Sequence, residues 1–316
     1  MLPPDFPHTS VMLQEAVTAL NPTSGRLYVD ATIGAGGHAL EILKASLPAG
    51  KLIGFDRDPL SMALTQKRLQ AIAADRIKLI LAPYSQLQQH LSLCEITGGV
   101  LADLGFATYQ VAQASRGFSF LHDAPLDMRF NPEDDTQPTA AHLLASASEA
   151  HLLQWFRDFG EDPLAPIIAR AIVNDRDKTP FETTHQLASL VSRVSRAHYK
   201  SASRTHPATR VFQALRIAVN QEFEHLEALL DALPSCCASG ARVAIITFHS
   251  LEDRLVKRRF RQWENPCVCP SAFPLCSCGR PAQWRRLKPN LILPSAHEVS
   301  INPNARSAKL RVIEKL

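Results

Sequence analysis

Leu27-Tyr28-Val29-Asp30-Ala31-Thr32-Ile33-Gly34-Ala35-Gly36-Gly37-His38 carries an apolar strand into a glycine turn and the start of a helix, and a second apolar run ends at Asp56, twenty residues after Gly36. Glycines at such a turn let the backbone approach a ligand closely. An acid at the end of the second strand can accept hydrogen bonds from two ribose hydroxyls. The stretch therefore predicts a nucleoside-binding crevice.

Outward from it, strand and helix patterns alternate: Leu27–Ile33, a helix from His38 to Ala45, Lys51–Phe55, a helix from Pro59 to Ala73, Ile77–Leu81 and Gly99–Leu104. That succession predicts an α/β fold with a mostly parallel sheet and helices on both faces. After Gly105 the strand pattern stops, and residues 107–138 read as loop. Apolar residues then recur at three- and four-residue spacing through Thr139–Ala147, Glu149–Phe159, Leu164–Asn174 and Thr184–Ala197, which predicts an all-helical insert. A long helix over Pro207–Leu233 leads back to strands at Arg242–Phe248 and Ser307–Glu314. Ser250-Leu251-Glu252-Asp253 reads as a capping box opening a helix over Leu251–Trp263. The expected organisation is one α/β domain from 1–110 and 206–316, with a helical domain inserted at 111–205.

With 46% apolar and 20% charged residues among 316, the composition is that of a globular chain able to bury a core. No apolar run reaches about 18 residues and the N-terminus has no basic, apolar leader, so no membrane association and a cytoplasmic location are expected. Residues 1–190 hold 14 Lys and Arg against 21 Asp and Glu, and residues 191–316 hold 20 against 9, giving −7 and +11. A basic C-terminal part suggests a polyanionic partner such as nucleic acid, a solvated basic surface being the alternative. Seven cysteines without an export signal argue against a disulfide framework.

Gly34-Ala35-Gly36-Gly37-His38-Ala39 also fits the degenerate dinucleotide fingerprint, which keeps a nicotinamide or flavin enzyme in view. Asp30 weighs against it. A carboxylate beside the turn would repel a pyrophosphate, but suits the ammonium and sulfonium charges of S-adenosylmethionine. Asp103, ending the strand Gly99–Leu104, is a third acid placed at the carboxyl edge of the sheet, where open parallel sheets bind ligands. Any one of these acids could be an ordinary turn residue; three at strand ends are harder to read that way.

Further motifs follow: His8-Thr9-Ser10-Val11-Met12-Leu13, Asp56-Arg57-Asp58-Pro59, Asp103-Leu104-Gly105, Arg116-Gly117-Phe118-Ser119-Phe120, Pro125-Leu126-Asp127-Met128-Arg129, His206-Pro207-Ala208-Thr209-Arg210, Phe248-His249-Ser250-Leu251-Glu252-Asp253-Arg254 and Arg306-Ser307-Ala308-Lys309-Leu310-Arg311. With Gly36-Gly37-His38, they closely resemble the bacterial 16S ribosomal RNA cytosine-N4 methyltransferase family. The resemblance runs from residue 8 to 315. It implies a class I, Rossmann-like methyltransferase fold and transfer of a methyl group from S-adenosylmethionine to the exocyclic N4 of a cytosine in small-subunit ribosomal RNA. At matching positions it implies that Gly36, Gly37 and His38 hold the methionine part of the donor, Asp56 its ribose and Tyr84 its adenine, with Asp103 and Gln110 also at the donor site. One departure stands out. The family usually continues Asp-Leu-Gly with Val-Ser-Ser-Pro-Gln, whereas this chain reads Phe106-Ala107-Thr108-Tyr109-Gln110. That keeps open a divergent paralogue acting on another RNA, or a non-catalytic ribosome-assembly factor.

The lone pair of a cytosine amine is conjugated with the ring, so transfer needs an acceptor for its N–H and alignment with the sulfonium methyl. Asp103 is the candidate catalytic acceptor. Thr209, Gln213, Arg216 and Asn220 form a polar stripe on the long helix that could face substrate or solvent. Arg193, Arg196, Lys200 and Arg204, the bases from Arg254 to Arg261, and Arg285, Arg286 and Lys288 are expected to grip 16S RNA or the small subunit through phosphates. Cys267-Val268-Cys269 and Cys276-Ser277-Cys278 could ligate zinc tetrahedrally, although C-x-x-C is the commoner spacing; reduced thiols or a redox-labile hairpin fit equally, and no metal is assigned. The sequence leaves a homodimer open.

Overall fold

The computed structural model describes residues 9–73, 75–198, 206–270 and 277–316; His8, Lys200, Arg204 and Cys276, named above, lie outside them. In chain order the elements begin with α1 (Leu13–Leu20), β1 (Leu27–Asp30), α2 (Gly37–Ala45), β2 (Lys51–Asp56), α3 (Pro59–Ala73), β3 (Ile77–Leu81), α4 (Leu87–His90) and β4 (Gly99–Asp103). Helices α5 (Thr108–Ala112), α6 (Ala140–Ser146), α7 (Glu149–Asp158), α8 (Ala165–Arg176), α9 (Thr184–His198) and α10 (Ala208–Asn220) follow. The chain continues through α11 (Glu222–Cys236), β5 (Arg242–Thr247), α12 (Ser250–Glu264), β6 (Trp284–Arg286), α13 (Ala296–Ile301) and β7 (Lys309–Lys315).

Two compact units emerge. Among the described residues, one comprises Thr9–Gly105 together with Glu224–Leu316, and the other Phe106–Phe223. The first holds a seven-stranded sheet in the order β3-β2-β1-β4-β5-β7-β6. Strands β1 to β5 run parallel, while β7 is antiparallel to β5 and β6 antiparallel to β7. The strand order reverses between β1 and β4, where Asp30 pairs with Leu101, and this switch point opens a crevice at the carboxyl ends of the strands. Parallel strands covered on both faces need near-continuous apolar runs, and the central ones have them: Val100, Leu101 and Ala102 of β4 and Val243 to Ile246 of β5 are buried. Ile42 and Leu43 of α2 pack with Leu52, Leu69, Leu101 and Ile246 in the core of this unit.

The helical unit has its own core, in which Leu144, Leu152, Phe156, Ile168, Ile172, Leu187, Val191, Val211 and Leu215 are all buried. Thr139 and Ser148 cap α6 and α7 by accepting from the His142 and His151 amides at 3.1 and 3.2 Å. Among the described residues no helix is long and apolar enough to cross a membrane.

Four local readings differ from expectation. The helix expected over Pro207–Leu233 is two helices, because Gln221 adopts a left-handed conformation (φ 49°) that ends α10. Residues 106–110 and 206–223 group with the helices rather than with the sheet. The cap of α12 is His249, not Ser250: Glu252 at the third helical position accepts from the Phe248 and His249 amides at 2.9 and 3.3 Å. Strand β6 carried no sequence signal, being three residues long, yet it adds an edge to the sheet by pairing with β7.

Candidate functional site

At the end of β1, the Asp30 carboxylate is 1% exposed, and its Oδ1 accepts from the Thr32 amide at 3.2 Å. Thr32 in turn accepts from the Asp103 amide at 2.6 Å through its hydroxyl, tying the end of β1 to the end of β4. The chain then turns through Gly34 (φ 52°) and Gly36 (φ 76°), and α2 begins at Gly37. The turn is pinned from two sides. The Gly34 amide donates to Asp56 Oδ2 at 3.0 Å, and the Thr65 hydroxyl of α3 donates to the Gly34 carbonyl at 2.7 Å. A Cβ on Gly36 would stand 3.0 Å from Thr65 Oγ1 in a left-handed backbone, and one on Gly37 would stand 2.0 Å from Ser10 Oγ, which would have to move.

His38 opens α2 almost fully buried. Its Nε2 lies 3.0 Å from the Val11 carbonyl and its Nδ1 3.9 Å from Asp103 Oδ2. Asp56 ends β2, where Oδ1 accepts from the Asp58 amide at 2.9 Å. Tyr84 follows β3 in a 3-10 turn, half-buried, with its ring edge-on to His225 at 6.3 Å. Gly36, Gly37, His38, Asp56, Tyr84 and Asp103 thus share one unit and stand at or just beyond the carboxyl ends of β1, β2, β3 and β4. Gln110 belongs to the helical unit, in α5, where its Oε1 accepts from the Ala107 amide at 2.8 Å.

Electrostatics give this edge its character. Burial pushes Asp30 up to about 7, with the neighbouring Asp56 adding to the rise. Burial likewise pushes Asp56 up to about 6. Asp103 is held well above the ordinary carboxylate range, first by burial and then by Asp30, Glu252 and Glu298. Among the described residues, Asp30 Oδ2, Asp103 Oδ1 and Glu298 Oε2 are buried without a hydrogen-bond partner. Unsatisfied buried carboxylate oxygens are costly, and a cation with N–H donors is the ligand that would relieve them. The arrangement therefore fits a positively charged nucleoside and disfavours a pyrophosphate.

Two contributors escaped the sequence reading. Glu252 was visible only as part of a cap, and Glu298 comes from α13, where it binds the Met12 amide across 286 residues. No local pattern announces a contact of that range.

The polar stripe of α10 has a different role from either one expected. Asn220 is fully buried; its Nδ2 donates to the Met128 and Arg216 carbonyls at 2.7 and 2.9 Å, and its Oδ1 accepts from the Phe130 amide at 2.8 Å. Arg216 binds both oxygens of Glu222 at 2.7 and 3.0 Å and lies 4.8 Å over the Phe106 ring. Gln213 donates to the Phe159 carbonyl at 2.9 Å. Three of the four residues tie the helical unit together. Where the chain departs from the pattern it resembles, Tyr109 is 1% exposed, and Phe106 stacks on Phe118 while remaining 44% exposed.

Of the expected basic residues, Arg193 pairs with Asp175, Arg259 with Asp231, Arg285 with Glu314 and Arg286 with Glu264. Arg254, Lys257, Arg258 and Arg261 of α12 are exposed on one helix.

The chain matches the model of a family described as the MraW methylase family over residues 5–316. A relative from Desulfosudis oleivorans named ribosomal RNA small subunit methyltransferase H is 44% identical over 98% of this chain and 99% of its own length. Relatives of the same name from Citrifermentans bemidjiense, 44% identical over 99% of this chain and 99% of theirs, and from Thermomicrobium roseum, 43% identical over 98% and 94%, match as fully.

Proposed function

From the premise that the chain belongs to the MraW methylase family, we propose that it transfers a methyl group from S-adenosyl-L-methionine to the exocyclic N4 of a cytosine in 16S ribosomal RNA. The observation that carries this reading is the pair of buried, unsatisfied carboxylate oxygens of Asp30 and Asp103 beside the Gly34–His38 turn. That pair calls for a cation, and it stands beside the turn that opens α2. The residues thus fit the donor.

S-adenosyl-L-methionine, when bound, supplies a methyl group on a positively charged sulfur. Gly36, Gly37 and His38 would hold its methionine part, Asp30 would complement its positive charge, Asp56 would accept from its ribose hydroxyls and Tyr84 would border its adenine. Gln110 is assigned to the same donor site on the strength of the family motif. Asp103 is the proposed catalytic residue: its carboxylate accepts an N–H of the cytosine amine, orients the lone pair and takes up the proton released on transfer. Its raised proton affinity suits that role.

The helical unit is proposed to recognise the RNA, and the exposed bases of α12 to hold its phosphates without reading sequence. The target cytosine has to leave its stack to reach a crevice at a strand edge, which favours an unpaired or distorted segment. The cytoplasm is the proposed location, and pairing into a homodimer is compatible with this function. Small-subunit particles incubated with labelled donor should yield labelled N4-methylcytidine on digestion of their RNA. Label at another position, or none, would overturn the assignment.

A further inference from the structure

We propose that Cys267, Cys269 and Cys278 ligate a zinc ion that closes the neck of the segment between α12 and β6. The three Sγ atoms all lie within 4.8 Å of one another, and those of Cys267 and Cys278 are 3.8 Å apart. Thiolates bound at about 2.3 Å around a tetrahedral zinc are themselves about 3.8 Å apart, so this spacing is that of a ligand set. A disulfide needs about 2 Å between its sulfurs, which the Cys267–Cys278 pair does not approach.

The surroundings support the same reading. The Ser277 amide donates to Cys269 Sγ at 3.4 Å, the kind of contact that orients a metal-bound thiolate from outside the coordination sphere. Ser277 lies between two of the thiols in the sequence pattern, and Cys276, the fourth, lies outside the described residues. A further donor completes the tetrahedron. Binding converts three S–H groups to three Zn–S bonds and releases three protons to solvent, with no change of oxidation state.

The segment has a reason to need such a clip. Its two ends are fixed: Trp263 near the end of α12 stacks on buried Trp284 of β6 with centroids 4.9 Å apart, and Arg286 donates to Glu264 at 2.6 Å. Between them, among the described residues, 265–270 and 277–283 contain no helix or strand, and Val268 is 62% exposed. Described residues with neither regular structure nor buried side chains are the kind that a metal cross-link holds. Cys267 lies three residues beyond the end of α12, and Cys278 six residues before β6. A metal joining them fastens the edge strand as well as the loop.

The full-length protein, purified under reducing conditions and supplied with zinc, should retain about one equivalent per chain after gel filtration. Replacing zinc with cobalt should give the intense visible bands of a tetrahedral thiolate site. The combined variant Cys267→Ser, Cys269→Ser and Cys278→Ser should lose both signals, and a zinc-selective chelator should lower the wild-type Tm while leaving that of the variant unchanged. Wild-type zinc below about a tenth of an equivalent, no thiolate bands with cobalt, or undiminished zinc in the triple variant would each overturn the site. Failure of the triple variant to fold leaves the cobalt spectrum and the chelator-dependent Tm of the wild type to decide.

Discussion

The imidazole of His38 presents Nδ1 to Asp103 Oδ2 at 3.9 Å while Nε2 lies 3.0 Å from the Val11 carbonyl. A carbonyl only accepts, so Nε2 bears the hydrogen and donates it to Val11, which fixes the ring beside Asp103. Asp103→Asn, which keeps the shape but removes the base, should lower turnover at saturating donor at least about a hundredfold, beyond any loss of donor affinity from removing one of the two acids that face its charge. If Asp103→Ala instead weakens donor binding while saturating turnover survives, Asp103 serves the donor alone.

Stability and donor binding should depend on pH in opposite senses. Asp30 and Asp56 are raised to about 7 and about 6 in the folded protein, above the ordinary value of 3.8 that they recover on unfolding. The folded state thus keeps protons that the unfolded chain has released. Unliganded stability should fall as pH rises from about 4 to about 7, each group contributing up to about 1.4 kcal/mol per pH unit. A cationic donor favours the ionised acids, so its affinity should rise roughly tenfold between pH 6 and 8. Calorimetric titration across that range checks this; Asp30→Asn should flatten the profile, and a flat wild-type profile would exclude the electrostatic role.

Gly36→Ala should cost about 1 kcal/mol from its φ of 76° alone, because a Cβ there is strained in the left-handed region. Thr65 Oγ1, 3.0 Å from that Cβ, would also have to yield, loosening its bond to the Gly34 carbonyl. Adding Thr65→Ala should recover part of the contact cost but none of the φ cost. Double-mutant analysis of donor affinity and denaturant midpoint measures the difference.

Asp253 of α12 receives Arg311 of β7 at 2.6 and 3.2 Å, with side chains 12% and 11% exposed. Asp253→Ala leaves Arg311 a mostly buried charge and should destabilise by about 3–5 kcal/mol, and Arg311→Ala should cost less because Lys309 still reaches Asp253 at 3.4 Å. The double variant should cost clearly less than the sum. Additive losses would show that the pair is not coupled.

Exposed Arg254, Lys257, Arg258 and Arg261 should contribute to RNA binding through phosphates. If all four make contacts, replacing them with alanine should reduce the slope of log affinity against log salt by about 3 for single-stranded RNA. An unchanged slope would move the RNA to another face.

The strands and their terminal acids could be read because both signals are local. A short apolar run closed by an acid specifies a strand end without knowledge of its neighbours. Asn220 could not be read that way. A polar residue on a helix surface and one that hydrogen-bonds three buried backbone groups look alike until Met128 and Phe130 are brought to it from some ninety residues away. The break at Gln221 was hidden for a related reason: no glycine or proline marks it, and its left-handed conformation is visible only in the folded chain. Glu298 joins the acidic edge purely through the placement of α13 beside α1, a relation no spacing in the sequence encodes.

Strands β4 and β5 are neighbours along Gly99–Asp103, yet between them the chain leaves this unit for the 118 residues Phe106–Phe223 and forms β5 only at Arg242. Closing so long a detour is thermodynamically cheap, since doubling a loop adds only about 0.6 kcal/mol. The burden falls on timing. Until β5 arrives, a folding chain carries the four-strand partial sheet β3-β2-β1-β4 with the whole edge of β4 open. Unpaired amides and carbonyls along an apolar edge are a template for another chain. Aggregation during refolding should accordingly concentrate in that interval, and a faster-folding detour should suppress it even though the finished sheet is unchanged.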